Sequence, residues 1–436
     1  MKDKIGVGII GLGTVGSGVV DILCRNGDLI KRRLGVPLKI AKIVERDLNR
    51  PLPPEISREI MTRDIKEITE NPDVDIVVEV IGGFEPAESY ILNAIENGKH
   101  VVTANKALLA VSGEELYRAA SRRGVDLYFE GSVCGGIPII KAIREGLAAN
   151  RIESMYGIVN GTSNFIITKM TEEGKGFEDA LRESQKLGYA ESDPTFDIEG
   201  IDAAHKLSIL VNIAFGTPVD FKEIYTEGIS GISPLDISYA KEFNYKVKLL
   251  AIAKMKAGSI EARVHPTLIP NNHLIATVDG VFNAVYITGD AVGPTLFYGK
   301  GAGALPAGSA VVADIIDVAR NILKGSIGRI PPASFKEENR MPLRILSIDE
   351  IESMYYFRFT VLDMPRVLSR ISGILGEHEI SIASVIQKGR KEGGNVPLVM
   401  MTHEAVEKNV RSALQEIDRL PVVSEKTTMI RVEEGR

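Results

Sequence analysis

The feature that most constrains the fold lies within the first twenty residues. The apolar run IGVGII is followed by GLGTVG at residues 11–16 and then by a helical pattern. Strand, glycine turn and helix in this order are typical of a dinucleotide-binding domain, because the glycines permit a tight turn and close approach of a pyrophosphate. The helix N-terminus then offers free N–H groups to phosphate. We predict an N-terminal Rossmann-type domain with cofactor contacts at Gly11, Gly13, Thr14, Val15 and Gly16.

The next strands carry further candidate ligand contacts at their carboxyl ends. KIAKIVERD ends in Glu45 and Arg46. An acidic residue here binds the ribose 2′-OH and favours NAD, whereas an arginine binds the 2′-phosphate and favours NADP. Both residue types are present, so the choice between the two cofactors stays open. The apolar strand VDIVVEVIGG is followed by HVVTANK, which places Lys106 at another strand end. Open α/β sheets bind ligands there, which makes Lys106 a candidate contact.

The pattern predicts an α/β protein with further domains after residue 134. KVKLLAIAKM, ARVHPTLI and AVYITGD indicate a mostly antiparallel sheet, and the order strand, helix, strand, strand, helix, strand near the C-terminus predicts a ferredoxin-like βαββαβ module. We expect the helix at 310–326 to return to the first domain. The predicted parts are a Rossmann-type domain (1–134), an α+β catalytic and dimerisation domain (135–326), a connector (327–353) and a regulatory domain (354–436).

Composition narrows the class of partner. The net charge is −6, which argues against a nucleic-acid or membrane partner, and the longest apolar run is too short to span a bilayer. Two cysteines make no disulfide framework and suit a reducing compartment. The sequence has no cluster of His and Cys residues of the kind that binds zinc, so we do not expect a zinc site. We therefore expect a cytoplasmic protein that acts on a small molecule.

In the segment SQKLGYAESDPTFDIEGIDAAHK, residues 184–206, Pro194 and Gly200 predict a loop, and a helix is expected from Asp202 to Leu210. Asp202 and Lys206 then lie on one face of this helix. Such a pair is most often a solvated ion pair. The whole segment, however, resembles the signature of the homoserine dehydrogenases and departs from it only at Ser184, where the family has alanine. Five further motifs occur in the family's order: GLGTVG, VEVIGG, TANK, EGSVCGGIP and VNGTSN. The C-terminal module resembles an ACT domain, so the resemblance covers the whole chain.

The resemblance implies NAD(P)H-dependent, reversible reduction of L-aspartate 4-semialdehyde to L-homoserine, a step in threonine, methionine and isoleucine biosynthesis. It implies that Lys206 donates the proton and that Lys106 assists it beside the nicotinamide. Reduction needs such a donor because charge develops on the aldehyde oxygen. It also implies a further cofactor contact at Gly303, and substrate contacts at Glu191, Asp202, Asp197, Thr162 and Gly161. Asp197 could instead only cap the helix.

The resemblance also implies a cation and an effector. A Na⁺ ion would bind Glu130 and the carbonyl groups of Val133, Gly135 and Ile137, since oxygen ligands suit it; alternatively, Glu130 pairs with Lys141 or Arg144. ACT modules pair edge to edge, so threonine would bind near residues 363–366 and 380–384, and the chain would form a homodimer or homotetramer. The module could also be a dimerisation element without a ligand.

Two other functions stay open at this point. One is an enzyme resembling aspartate-semialdehyde dehydrogenase, which needs a cysteine nucleophile, with Cys134 as its candidate. The other is a nucleotide- and amino-acid-sensing protein without turnover.

Overall fold

The computed structural model describes residues 2–389 and 394–435. It divides the chain into two compact units. The first combines the chain up to Gly161 with Asp202–Lys222 and Val281–Leu343; the second combines Thr162–Ile201, Glu223–Gly280 and the chain from Arg344 onward. Residues 1 and 436, the outer ends of the predicted first and last domains, lie outside the described residues.

A parallel sheet forms the N-terminal part of the first unit. Its strand order, β3-β2-β1-β4-β5-β6, is that of a doubly wound nucleotide-binding fold. The strands are β1 (Ile5–Ile10), β2 (Leu38–Val44), β3 (Met61–Thr62), β4 (Ile76–Glu79), β5 (His100–Thr103) and β6 (Leu127–Tyr128), and the helices are α1 (Thr14–Arg25), α2 (Gly27–Leu34), α3 (Lys66–Thr69), α4 (Ala87–Glu96) and α5 (Lys106–Arg123). β1 and β4 are buried along their whole length, which matches the apolar sequence of β1 and that of β4 as far as its last residue, Glu79.

The middle of the chain contributes to both units. Its helices are α6 (Ile139–Lys141), α7 (Gly161–Glu173), α8 (Phe177–Lys186), α9 (Thr195–Ile198), α10 (Ile201–Phe215), α11 (Pro234–Glu242) and α12 (Ala304–Lys324), and its strands are β7 (Ile152–Ile158), β8 (Tyr225–Thr226), β9 (Tyr245–Lys256), β10 (Ser259–Pro270), β11 (Phe282–Gly289) and β12 (Gly293–Lys300). In the first unit β11 pairs antiparallel with β7 and β12. In the second, β9 and β10 form a long antiparallel hairpin.

Helix α12 completes the core of the nucleotide-binding sheet. Val311, Ile315 and Val318 lie in one buried cluster with residues of β1 and α1. The helices α1 and α12 approach closely at glycine, because a Cβ added at Gly18 would lie 2.0 Å from the Ala304 carbonyl oxygen. The nucleotide-binding core is therefore built from two segments that are far apart in sequence.

The C-terminal module has the predicted order of elements. These are β13 (Glu352–Leu362), α13 (Val367–Glu377), β14 (Ile382–Gln387), β15 (Asn395–Thr402), α14 (Glu407–Ile417) and β17 (Thr428–Val432), with a short β16 (Ala405–Val406) before α14. The strand order β17-β13-β15-β14 is antiparallel and ferredoxin-like. Both helices pack on one face of this sheet through a single apolar cluster. β17 also pairs in parallel with β10.

Two local predictions are corrected. The segment from Pro194 to Gly200, expected to be a loop, contains the helical turn α9, because the Asp193 carboxylate accepts hydrogen bonds from the backbone N–H and hydroxyl of Thr195. The helix expected at 202–210 runs from Ile201 to Phe215, since its apolar residues continue into the core. No helix in the described ranges has both the length and the apolar character needed to cross a membrane.

Candidate active site

A cavity of about 670 Å³ opens at the carboxyl ends of β1, β2 and β4. Gly11, Gly13, Glu45 and Arg46, all predicted cofactor contacts, line it. A Cβ added at Gly13 would meet no atom within 4 Å, whereas one at Gly16 would lie 2.0 Å from the Gly11 carbonyl oxygen. The loop backbone therefore faces open space on the cavity side and packs tightly on the other. This cradle fits a nucleotide pyrophosphate at the start of α1.

The carboxylate of Glu45 is used to build the cavity wall. It accepts hydrogen bonds from the backbone N–H groups of Leu12 at 2.7 Å, Arg46 at 2.8 Å and Asp47 at 3.2 Å. These bonds tie the end of β2 to the glycine turn. A carboxylate that already accepts three donors has less capacity left for a ribose hydroxyl.

Arginine side chains surround the same part of the cavity. Arg46, Arg50 and Arg63 all line it. The guanidinium of Arg50 donates to the Leu12 carbonyl oxygen at 2.8 Å, and that of Arg63 donates to the Arg46 carbonyl oxygen at 3.0 Å. The sequence analysis missed Arg50 and Arg63, although Arg63 directly follows β3 and therefore stands at a strand end.

The first unit also contains a carboxylate held between two lysines. Asp202 accepts from the Lys106 ammonium on Oδ1 and from the Lys206 ammonium on Oδ2, each at 2.6 Å. The Asn160 side-chain amide donates to Oδ2 at 2.8 Å, and Lys206 Nζ also donates to the Val159 carbonyl oxygen at 2.7 Å. We call Lys106, Asp202 and Lys206 the lysine–aspartate bridge. Asn160 is a site residue that the sequence did not predict.

Local structure explains how the bridge is assembled. Lys106 is the first residue of α5, which is capped by the Asn105 side chain accepting from the Leu108 N–H at 3.2 Å. Asp202 and Lys206 lie one turn apart on α10. The spacing that would suit a solvated surface pair therefore serves a buried one, because Lys206 is only 8% exposed and Asp202 only 3%.

The bridge contains two ammonium groups but only one carboxylate, that of Asp202. Burial would raise the pKa of Asp202, but the ammonium groups of Lys206 and Lys106 outweigh it and hold that pKa well below its usual range. Asp202 is therefore an anion that keeps both lysines in place. The Lys106 side chain is 40% exposed, so this ammonium can also reach a ligand.

Three of the other predicted substrate residues, Thr162, Glu191 and Asp197, lie in the second unit. The Thr162 hydroxyl, next to Gly161 at the start of α7, donates to the Tyr189 carbonyl oxygen at 2.8 Å. The Ser163 hydroxyl donates to the Asp197 carbonyl oxygen at 2.7 Å, and Glu191 is exposed. Within this unit the segment that bears Glu191 and Asp197 is therefore anchored to the start of α7. Gly303 lies in the first unit as the N-cap of α12.

Glu130 lies in a buried acidic environment. Its carboxylate accepts from the backbone N–H groups of Ile140 at 2.8 Å and Lys141 at 2.7 Å, and its own N–H donates to Asp314 at 2.7 Å. Burial raises the pKa of Glu130 to about 7. The alternative ion pair with the Lys141 ammonium is wrong, because that group contacts Asp317. A buried carboxylate of this kind fits a bound cation. Clusters of three or more His, Cys, Asp or Glu side chains that could hold a metal are absent from the described residues.

Cys134 lacks the properties of a nucleophile. Its side chain is buried, and burial raises the pKa of the thiol to about 11. At neutral pH the group is a thiol, which reacts poorly with carbonyl carbon. The geometry therefore argues against an enzyme that forms a thioester at this position.

Comparisons with known proteins agree with the geometry. Residues 11–130 match the family "Homoserine dehydrogenase, NAD binding domain", residues 138–316 match "Homoserine dehydrogenase" and residues 355–422 match "ACT domain". A homoserine dehydrogenase of Pseudomonas aeruginosa is 49% identical over 98% of each chain. The chain belongs to the homoserine dehydrogenase family. One of Neisseria gonorrhoeae is 48% identical over 98% of each chain.

Solved structures of the family extend the comparison. A homoserine dehydrogenase from Thiobacillus denitrificans has a TM-score of 0.93 at 48% identity and covers 99% of each chain. A hyperthermophilic archaeal homoserine dehydrogenase in complex with NADPH has a TM-score of 0.61 at 29% identity and covers 74% of this chain and 98% of its own. The family prediction from the signature segment is confirmed, as is the fold class, and the chain is an oxidoreductase with a nicotinamide-nucleotide domain and an ACT domain.

Proposed function

We propose that this homoserine dehydrogenase homologue catalyses the reversible reduction of L-aspartate 4-semialdehyde to L-homoserine. The observation that carries the proposal is the lysine–aspartate bridge, which lies in the same unit as the nucleotide cavity. Residues such as Gly11, Gly13 and Glu45 line the cavity that would hold a nicotinamide nucleotide, which would supply the hydride for the aldehyde carbon. Lys206 holds a proton for the oxygen, on which negative charge develops, and Lys106 provides a second positive charge. Asp202 holds both ammonium groups in place through its two carboxylate oxygens.

The substrate is an amino acid, and the acidic segment before α10 supports binding of its ammonium group. Glu191 and Asp197 lie in this segment, which Thr162 and Ser163 of α7 anchor by their hydroxyl groups. Gly161 precedes them as the first residue of α7. Carboxylates favour a cation in a partly desolvated site. Glu191→Gln is therefore expected to raise KM for homoserine more than it lowers kcat, whereas an unchanged KM would remove Glu191 from the substrate site.

We further propose that NADP is the preferred cofactor. Glu45 is engaged by three backbone N–H groups, and Arg46, Arg50 and Arg63 line the cavity. Homoserine oxidation followed by the absorbance of the reduced nicotinamide tests both the reaction and the cofactor. We expect kcat/KM to be higher with NADP⁺ than with NAD⁺ by about tenfold or more, as charge-assisted contacts to a phosphate would give.

Arginine variants test the physical reason for this preference. Arg46→Ala and Arg63→Ala are expected to raise KM for NADP⁺ while leaving KM for NAD⁺ nearly unchanged. Arg58→Ala, in which the lost side chain does not line the cavity, is the matched control. Equal losses with both cofactors would contradict the proposal, and no oxidation of homoserine with either would overturn the proposed function.

We propose a Na⁺ site at Glu130, completed by the carbonyl groups of Val133, Gly135 and Ile137. The buried Glu130 carboxylate and the nearby Asp314 support it, since a cation would offset two acids. Replacing choline chloride by NaCl at equal ionic strength is expected to raise Tm of the wild type, and to do so less in Glu130→Gln. Equal responses of the two proteins would exclude this site.

We propose that the ACT domain binds threonine as an effector. Residues 363–366, predicted to lie at such a site, line a cavity of about 380 Å³ together with Gln387 and Leu398. Titration calorimetry of the full chain with L-threonine should give saturable heat, and Gln387→Ala should weaken it. No heat up to millimolar threonine would favour the alternative, a module without a ligand.

We also propose that the protein forms a homodimer or homotetramer and that it is located in the cytoplasm. Light scattering tests the oligomeric state, and cell fractionation tests the location.

A further inference from the structure

A charged side chain of the connector is nearly enclosed by the first unit. The Arg340 side chain is 9% exposed. Its guanidinium donates to both oxygens of the Glu114 carboxylate, at 2.7 Å and 2.6 Å, and to the Asn212 amide oxygen at 3.1 Å. The Asn212 amide in turn donates to Glu114 at 2.8 Å. A planar guanidinium paired through two parallel bonds has little freedom to shift.

The neighbouring connector residues are fixed to the same helix. The Leu343 N–H donates to the hydroxyl of Thr217, which follows α10, at 2.9 Å. A Cβ added at Gly216 would lie 2.8 Å from the ring of Phe335, so connector and helix end are in close contact there. Arg340 is thus held in a segment that packs against the end of α10.

Glu114 and Asn212 belong to the two helices that carry the lysine–aspartate bridge. Glu114 lies about two turns after Lys106 on α5, and Asn212 lies less than two turns after Lys206 on α10. The helices are therefore joined at one level by the bridge and at a second level by Arg340. Two points of attachment restrict sliding and rotation of one helix against the other, which a single ion pair would permit.

We propose that Arg340 is a positioning residue of the dehydrogenase: by joining Glu114 to Asn212 it fixes α5 against α10, so that Lys106 on α5 keeps its position beside Asp202 and Lys206 on α10. The inference rests on the proposed function. Burial would raise the pKa of Glu114, but the Arg340 contacts lower it, so the carboxylate is the ionised partner that the pair needs. Loss of the guanidinium removes two of the hydrogen bonds to this anion, and the bond from the Asn212 amide and the more distant charge of Arg118 are left.

The test compares Arg340→Ala, Arg340→Lys and Arg344→Ala in the full-length chain. Arg344→Ala is the matched control, because Arg344 also donates to both oxygens of a carboxylate, that of Glu350, from its Nη2, but its side chain is 65% exposed. Arg340→Ala is expected to lower kcat for homoserine oxidation about tenfold, within the range that small displacements of catalytic groups cost. The dissociation constant for NADPH should stay within about twofold, since the cavity is untouched. Arg340→Lys should recover only part of kcat, and Arg344→Ala should match the wild type.

The outcomes separate positioning from general stability. Folded Arg340→Ala with wild-type kcat would overturn the inference, as would a loss of kcat that disappears once activity is expressed per folded molecule. If Arg340→Ala does not fold, Asn212→Ala and Arg340→Lys decide in the same way. Wild-type protein that fails to oxidise homoserine would overturn the proposed function itself, whereas an active wild type with unaffected variants would remove only the role of Arg340.

Discussion

Replacing Lys206 with methionine is expected to lower kcat for homoserine oxidation by about a thousandfold, the middle of the range for loss of a general acid–base group. Methionine fills a similar volume but has no proton to exchange with the substrate oxygen. Steady-state kinetics measure the loss, and fluorescence titration of NADPH should show little change in cofactor affinity. Asp202 would retain Lys106 and Asn160 as partners, so we expect the fold to persist.

The chain offers a matched control for this variant. Lys248 is also buried, and its ammonium also contacts a carboxylate, Asp279 at 2.7 Å, and a backbone carbonyl group, that of Val278 at 2.5 Å. Lys248→Met should therefore reduce Tm while leaving kcat of the folded protein close to that of the wild type. If Lys206→Met retains more than a tenth of wild-type kcat, the proposal that Lys206 transfers the proton is wrong.

Asp202→Asn is expected to damage both stability and catalysis. Removing one partner of a buried charge group costs about 3–5 kcal/mol, because uncompensated charge stays inside the protein. Asparagine carries no charge, so it attracts the two ammonium groups less strongly and holds them less firmly beside the substrate oxygen. We therefore expect kcat for homoserine oxidation to fall about tenfold or more, as small displacements of catalytic groups can cost. Denaturant unfolding and steady-state kinetics measure the two effects.

Asp279→Asn is the control for Asp202→Asn. Asp279 also lies between two lysines, Lys246 at 3.2 Å and Lys248 at 2.7 Å, but 36% of its side chain is exposed. Its loss should cost less stability and should leave kcat of the folded protein close to that of the wild type. A loss of kcat of the same size in both variants would show that kcat reports global stability, and would remove Asp202 from the proposed mechanism.

The parts of the fold that could be predicted are those determined by residues adjacent in the sequence. These are the glycine turn, the buried apolar strands and the order of strands and helices in the C-terminal module, and all of them are present in the structure. The helix α9 was missed because its stabilising contact is made by a side chain, that of Asp193, and not by an apolar pattern.

The candidate site could be predicted only in part, because its members meet through tertiary packing. The signature segment pointed to Lys206 and Asp202, but the contact of Lys106 with Asp202 joins two helices that are distant in sequence. Asn160 and Arg340 reach their partners in the same way. The sequence could not show that Glu45 is engaged by backbone N–H groups, since this depends on how closely β2 approaches the glycine turn.

The return of α12 to the first sheet has a consequence for synthesis on the ribosome. When residue 134 has just emerged from the ribosome, Val311, Ile315 and Val318 have not yet been synthesised. Apolar side chains of α1 and β1 therefore stay uncovered until more than half of the protein has been translated. Such surfaces favour aggregation and binding by chaperones. Ribosome-bound chains stalled before α12 should therefore be cut more readily by protease within the first domain than chains extended past it. Equal sensitivity would show that this domain closes without its last helix.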